Sequence, residues 1–373
     1  MILKNVCFYN EVFEKEIADF RIENGKIKEI GIIDEDGRDM SGFTALPGFI
    51  DIHIHGGNGG DFSDASKESS DKISSYLAKH GVTSFCGTSM TLDNQSLTNI
   101  VKSGREYAGK ETGAKLVGIN LEGPFISYDK KGAQNGAFVR AGTIDEFNQL
   151  FEDSGKMVKL ITIAPEAFAS TDFITEASKK CSVSIGHTAA NSDEAQNAIN
   201  LGVCHATHLY NAMTGMTHRQ AGVVGTVMDN EHVMCELVCD GGHVCPAVVR
   251  NTFRILGENR VCVISDSMRG AGLGAGEFDL GGQTAYVHKN GKYAVLEDGT
   301  IAASITNVFD EFKNLLDFGI DFKTALKSCT INPAKAIGLD NEIGSLAPNK
   351  CADIIFVDEK LDLKEVYING KLA

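Results

Sequence analysis

"GFIDIHIHGG", residues 48–57, sets three isoleucines (Ile50, Ile52, Ile54) in alternation with Asp51, His53 and His55. Successive side chains of a strand point to opposite faces, so the pattern predicts a short β-strand with its three polar groups on one side. A stripe of one carboxylate and two imidazoles is unusual company for an apolar strand, and it calls for a chemical reason.

Working outward, short apolar runs alternate with helical patterns from residue 48 to about 335. The strand candidates are "FIDIHIH", "TSFCGTS", "LVGINLEG", "VKLITIAP", "SVSIGHT", "VCHATHLY", "HVMCELVCD" and "VCVISDS". Amphipathic helices lie between several of them, such as "SDEAQNAINLG" and "NVFDEFKNLLDFG". In the second, apolar residues at 308, 309, 312, 315 and 316 form one helical stripe. Eight strands alternating with helices predict an α/β fold, a (β/α)8 TIM-like barrel over residues 48–335.

Both chain ends read differently. "FRIENGKIKEI" carries Asn24-Gly25 between alternating runs, and "YINGKLA" offers a second Asn-Gly turn. Such pairs mark two-residue hairpins. Neither end encloses a core of its own, so residues 1–47 and 336–373 are expected to join as one small β-sandwich domain.

Composition narrows the partners. Thirty-five Lys and Arg against fifty Asp and Glu leave a formal net charge of −15, which argues against nucleic-acid and anionic-membrane surfaces. No run approaches 18 apolar residues, and the first residues do not read as a secretory leader. The ten cysteines stand singly with no CxxC pair, as reduced core residues would, and a cytoplasmic location is expected.

The polar residues of the strand runs fall near their carboxyl ends. His53 and His55 close the first, Glu122 the third, His187 the fifth and His208 the sixth; His243 follows the seventh and Asp266 closes the eighth. A barrel gathers those ends on one rim, where active sites are built. Taken singly, each has an ordinary explanation: a hydrogen-bonded histidine, a turn cap at Glu122, a helix cap at Asp266. Together they form a set of imidazoles and carboxylates suited to a divalent first-row metal. His205, three residues before His208, falls on the opposite face of a regular strand and reads as structural.

The stretches "PGFIDIHIHG", "LEGPFIS", "KKGA", "GHT", "THLYNAM", "HR", "DGGHV", "SDS" and "NPAKAIGL…GSLAPNKCADIIFVD" together resemble the N-acetylglucosamine-6-phosphate deacetylases of the amidohydrolase superfamily. The likeness runs from about residue 47 to 358. It implies hydrolysis of an amide on a phosphorylated amino sugar by a homodimer. It implies one or two divalent ions per subunit, zinc or iron, with Glu122, His187 and His208 on the principal ion and His53 and His55 on a second. Asp266 matches the residue that moves the reaction's proton. Asn211, Ala212, His218 and Arg219 match phosphate-binding positions, and His243 a sugar contact. Gln134 stands where the family usually has a histidine that contacts the acetyl carbonyl. That departure keeps open another N-acyl amino-sugar phosphate, such as N-acetylgalactosamine 6-phosphate, or another amide.

Overall fold

The computed structural model describes residues 1–168 and 172–373. All eight predicted strands are present: β1 (Phe49–Ile54), β2 (Val82–Ser89), β3 (Lys115–Glu122), β4 (Val158–Ile163), β5 (Ser182–Ile185), β6 (Val203–Ala206), β7 (Met234–Leu237) and β8 (Val261–Val263). They form one parallel sheet in sequence order. Its two edges meet just beyond the paired strands. The Asp266 N–H donates to the His53 carbonyl (2.9 Å), and the N–H groups of His55 and Gly56 donate to the Ser267 carbonyl (3.0 and 2.9 Å). The sheet therefore curls as a TIM-like barrel does, and these three bonds place Asp266 beside His53 and His55.

Every residue of β1 and β2 is buried, as expected of strands covered by helices on one face and filled by side chains on the other. Helices start where the sequence offers caps. Asn191 accepts from the N–H groups of Asp193 and Glu194 ahead of helix Ser192–Leu201, and the Asn307 side chain accepts from the Asp310 N–H ahead of helix Val308–Asp317. That second helix packs on β1 through Phe49, whose ring centroid lies 5.5 Å from Phe309 and 5.3 Å from Phe312. Phe49 is fully buried, so Phe49→Ala should cost about 3–5 kcal/mol of unfolding free energy. Denaturant melts measure this, and a loss under about 1 kcal/mol would contradict the packing described.

The chain ends do pair. Thr44–Pro47 runs antiparallel to Ile354–Val357, and the ends contribute to a single mixed eight-stranded sheet. Both Asn-Gly turns form as read. Asn24 and Gly25 have φ of 50° and 79°, Asn369 and Gly370 have 49° and 70°, and each pair joins adjacent strands. Positive φ at both central residues is the geometry that matches strand twist and favours Asn-Gly.

One element was not foreseen. Gly276–Leu280, Gln283–Val287, Tyr293–Val295 and Ile301–Ser304 make an antiparallel four-stranded sheet inserted after β8. It packs on Met90, Ala133 and Met268, and brings residues 300–302 to the barrel mouth. Among the described residues no helix is long and apolar enough to cross a membrane.

Candidate active site

A cavity of about 420 Å³ opens at the carboxyl ends of the barrel strands. His55, Glu122, His187, His208 and Asp266 reach it. Glu122 ends β3, whereas His187 and His208 each lie two residues past the end of a strand. His187, His208 and Asp266 have φ of 47°, 28° and 47°. L-residues adopt that region at a cost, and three such turns at one rim mark a place where the chain is bent to aim side chains.

The donors converge closely. Glu122 Oε1 lies 3.1 Å from His187 Nε2 and 2.9 Å from His208 Nε2, and those two nitrogens are 3.1 Å apart. Glu122 Oε2 lies 3.1 Å from His55 Nε2. Asp266 Oδ1 stands 3.4 Å from His55 Nε2 and 3.6 Å from His53 Nε2. Two triads result, Glu122–His187–His208 and His53–His55–Asp266, each with ligand atoms within 4.8 Å of one another. His187 Nδ1 is 2.8 Å from the Lys130 carbonyl oxygen; a carbonyl only accepts, so Nδ1 carries the proton and Nε2 of the neutral ring keeps its lone pair. His53 Nε2 is buried without a hydrogen-bond partner. Lone pairs gathered at one buried point, one of them orphaned, are the donor set that a divalent cation satisfies. The residues fit the metal that the sequence implied.

Electrostatics agree. Burial pushes Glu122 up, but His53, His187 and His208 hold its carboxyl well below the usual range. Burial pushes His55 down, yet Asp266 and Glu122 raise it to about 10. In protein stripped by a chelator this has a definite sign. The His55 contribution is complete below the unfolded pKa of about 6.5 and is lost as pH rises towards 10. The Glu122 contribution is present above about 4.3 and is lost as pH falls below it. Both contributions are present together between about pH 5 and 6.5, and the melting temperature of stripped protein should fall as pH rises from about 6.5 towards 10. A melting temperature flat across pH 6.5–10 would contradict this.

Other predicted residues divide. Asn211, Ala212 and His243 line the cavity. His243 Nδ1 is 2.7 Å from Asp240 Oδ2, and Asp240 Oδ1 accepts from the N–H groups of Gly242 and His243. The ring is thereby locked, with Nδ1 protonated. Gln134 also lines the cavity, but both ends of its amide are engaged: Nε2 donates to Glu122 Oε2 (2.5 Å), and Oε1 accepts from the Thr91 N–H (2.7 Å). His218 and Arg219 are exposed and are not among the lining residues.

Two readings of the strands need correction. Asp51 does not join the two histidines; the β1–β2 register shifts between Asp51 and Ile54, and Asp51 accepts from Ser265 Oγ (2.5 Å). His205 is structural, but it does not turn away from the site's supports. Its Nε2 lies 3.3 Å from Glu236 Oε1, and Glu236 in turn meets His53 and His208. His208 lies beyond the end of β6, where alternation no longer applies. Glu236 itself was missed, although a lone acid within "VMCELVC" was a signal.

A model of the amidohydrolase family matches residues 44–373. The N-acetylglucosamine-6-phosphate deacetylase of Bacillus subtilis (strain 168) is 35% identical over 334 residues, covering 88% of this chain and 84% of the relative. The crystal structure of N-acetylglucosamine-6-phosphate deacetylase from Pasteurella multocida superposes with a TM-score of 0.92 at 28% identity, covering 100% of this chain and 99% of the other. A mutant of the Mycobacterium smegmatis deacetylase, in complex with N-acetyl-D-glucosamine-6-phosphate, gives 0.93 at 27%, covering 100% and 98%. Near-complete coverage in both directions leaves no part of the chain outside the likeness: it belongs to the amidohydrolase family, in its N-acetylglucosamine-6-phosphate deacetylase branch.

Proposed function

We propose that the protein hydrolyses the amide of N-acetylglucosamine 6-phosphate, giving glucosamine 6-phosphate and acetate, in a reaction that needs a divalent metal. The observation that carries this reading is the pair of imidazole–carboxylate triads, of which His55, Glu122, His187, His208 and Asp266 line one cavity. Glu122, His187 and His208 would hold the principal ion, and His53 and His55 a second. Imidazole with carboxylate suits zinc or iron. Such an ion supplies Lewis acidity towards the amide carbonyl and towards water.

The chain's own residues do the rest. Asp266, at the cavity floor, takes a proton from the attacking water on its carboxylate and returns it to the departing amine nitrogen as the C–N bond breaks. His243, locked by Asp240, presents Nε2 to a sugar hydroxyl. Asn211 and the Ala212 backbone, on the cavity wall, receive the phosphate. Gln134 steadies Glu122 rather than reaching for the acyl group. The family resemblance supports a homodimer, and the ten unpaired cysteines support a cytoplasmic location. The pairing of the two chain ends in one sheet supports a division into a barrel of residues 48–335 and a small β domain of 1–47 with 336–373.

The test compares N-acetylglucosamine with and without its 6-phosphate. Charged hydrogen bonds are worth about 1.5–3 kcal/mol each, so kcat/KM should fall about 100-fold or more without the phosphate. Equal rates on both would refute the phosphate assignment.

A further inference from the structure

Glu236 lies in β7, is fully buried and is not among the residues lining the cavity. A carboxylate so placed is costly unless it is fully hydrogen-bonded. Three donors surround it. His53 Nδ1 stands 2.9 Å from Oε2, the His208 N–H donates to the same oxygen (3.1 Å), and His205 Nε2 lies 3.3 Å from Oε1. An ionised carboxylate only accepts, so the proton of neutral His53 is drawn to Nδ1. Its Nε2 then carries the lone pair, 3.5 Å from Glu122 Oε1 and 3.6 Å from Asp266 Oδ1, with no hydrogen bond to satisfy it. The same carboxylate braces one member of each triad, His53 by its ring and His208 by its backbone.

We infer that Glu236 is a positioning residue that fixes the tautomer and ring setting of His53 and so governs occupancy of the second metal position. The inference rests on reading the site as a metal centre. Groups that orient a ligating histidine through its other nitrogen change metal affinity about 10–100-fold when they are replaced. Glu236→Gln keeps the volume and one acceptor oxygen but removes the charge. Glu236→Ala removes the acceptor altogether. His208 contributes only a backbone N–H to Glu236, which an amide oxygen serves as well, so the principal position should be spared in the Gln variant.

The experiment titrates chelator-stripped, full-length protein with cobalt(II), followed by its visible absorption and by metal content after gel filtration. Wild type should take up two equivalents. Glu236→Gln should bind the second about tenfold more weakly, with the first unchanged within about twofold, and Glu236→Ala should lose the second by about 100-fold. Circular dichroism checks folding; if the Ala variant does not fold, the Gln variant decides alone. A second equivalent as tight in Glu236→Gln as in wild type overturns the inference, as does equal weakening of both equivalents, the mark of a merely structural residue. Wild type that takes up one equivalent overturns it and leaves the proposed reaction standing. Wild type that takes up none overturns both.

Discussion

Asp266→Asn should lower kcat by about three orders of magnitude while one divalent ion stays bound. A positioned general acid–base contributes typically 10²–10⁴-fold, and Asn has neither the charge to accept a proton nor a proton to give back. The substitution is otherwise mild. The main-chain bonds that hold residue 266, from its N–H to the His53 carbonyl and from the Ser304 N–H to its own carbonyl (2.8 Å), do not involve the side chain. Asp266 lies outside the Glu122–His187–His208 triad, which keeps its donors. Its Oδ1 approaches His53 and His55 at 3.4–3.6 Å, so any loss of metal should fall on the second position. The check is kcat measured beside metal content. A variant with one bound metal and more than a tenth of the wild-type rate would remove Asp266 from the proton transfer.

Glu122→Ala should have the larger consequence. This carboxylate is only 2% exposed and meets five side chains: His53, His55, His187, His208 and Gln134. Its removal takes one donor from the principal triad and leaves four buried imidazoles with less negative charge to face. Activity should fall by at least about 10⁴-fold, since both metal binding and the alignment of the reacting groups are lost. Breaking a buried charge cluster from one side costs about 3–5 kcal/mol, and denaturant melts in chelator should show a loss of that order. Tight retention of metal at the principal position would contradict the assignment of Glu122.

Much of the fold was legible because a parallel barrel strand is short, apolar and followed by its own helix. Each of the eight runs became a strand, and the Asn-Gly turns at residues 24–25 and 369–370 formed where their glycines allow positive φ. The site was legible for a related reason: Glu122, His187, His208 and Asp266 interrupt or end apolar runs, and the barrel brings those ends together. The insertion at residues 276–304 escaped because its strands are short and half-exposed, so no long alternation marks them. Gly281-Gly282, between Leu280 and Gln283, was the available turn signal. Asp51 was misplaced because a register shift in β1 breaks the period of two. His218 and Arg219 lie in an exposed loop and do not line this chain's cavity, so their place at the phosphate rests on the family resemblance and not on the strand pattern.

Acetate release from N-acetylglucosamine 6-phosphate by metal-replete protein, run beside N-acetylgalactosamine 6-phosphate, is the most direct measurement. Turnover that prefers the gluco substrate and stops when the metal is chelated is the predicted result. A metal-loaded, folded protein that releases no acetate from the gluco compound, or that turns over only the galacto compound, would contradict it.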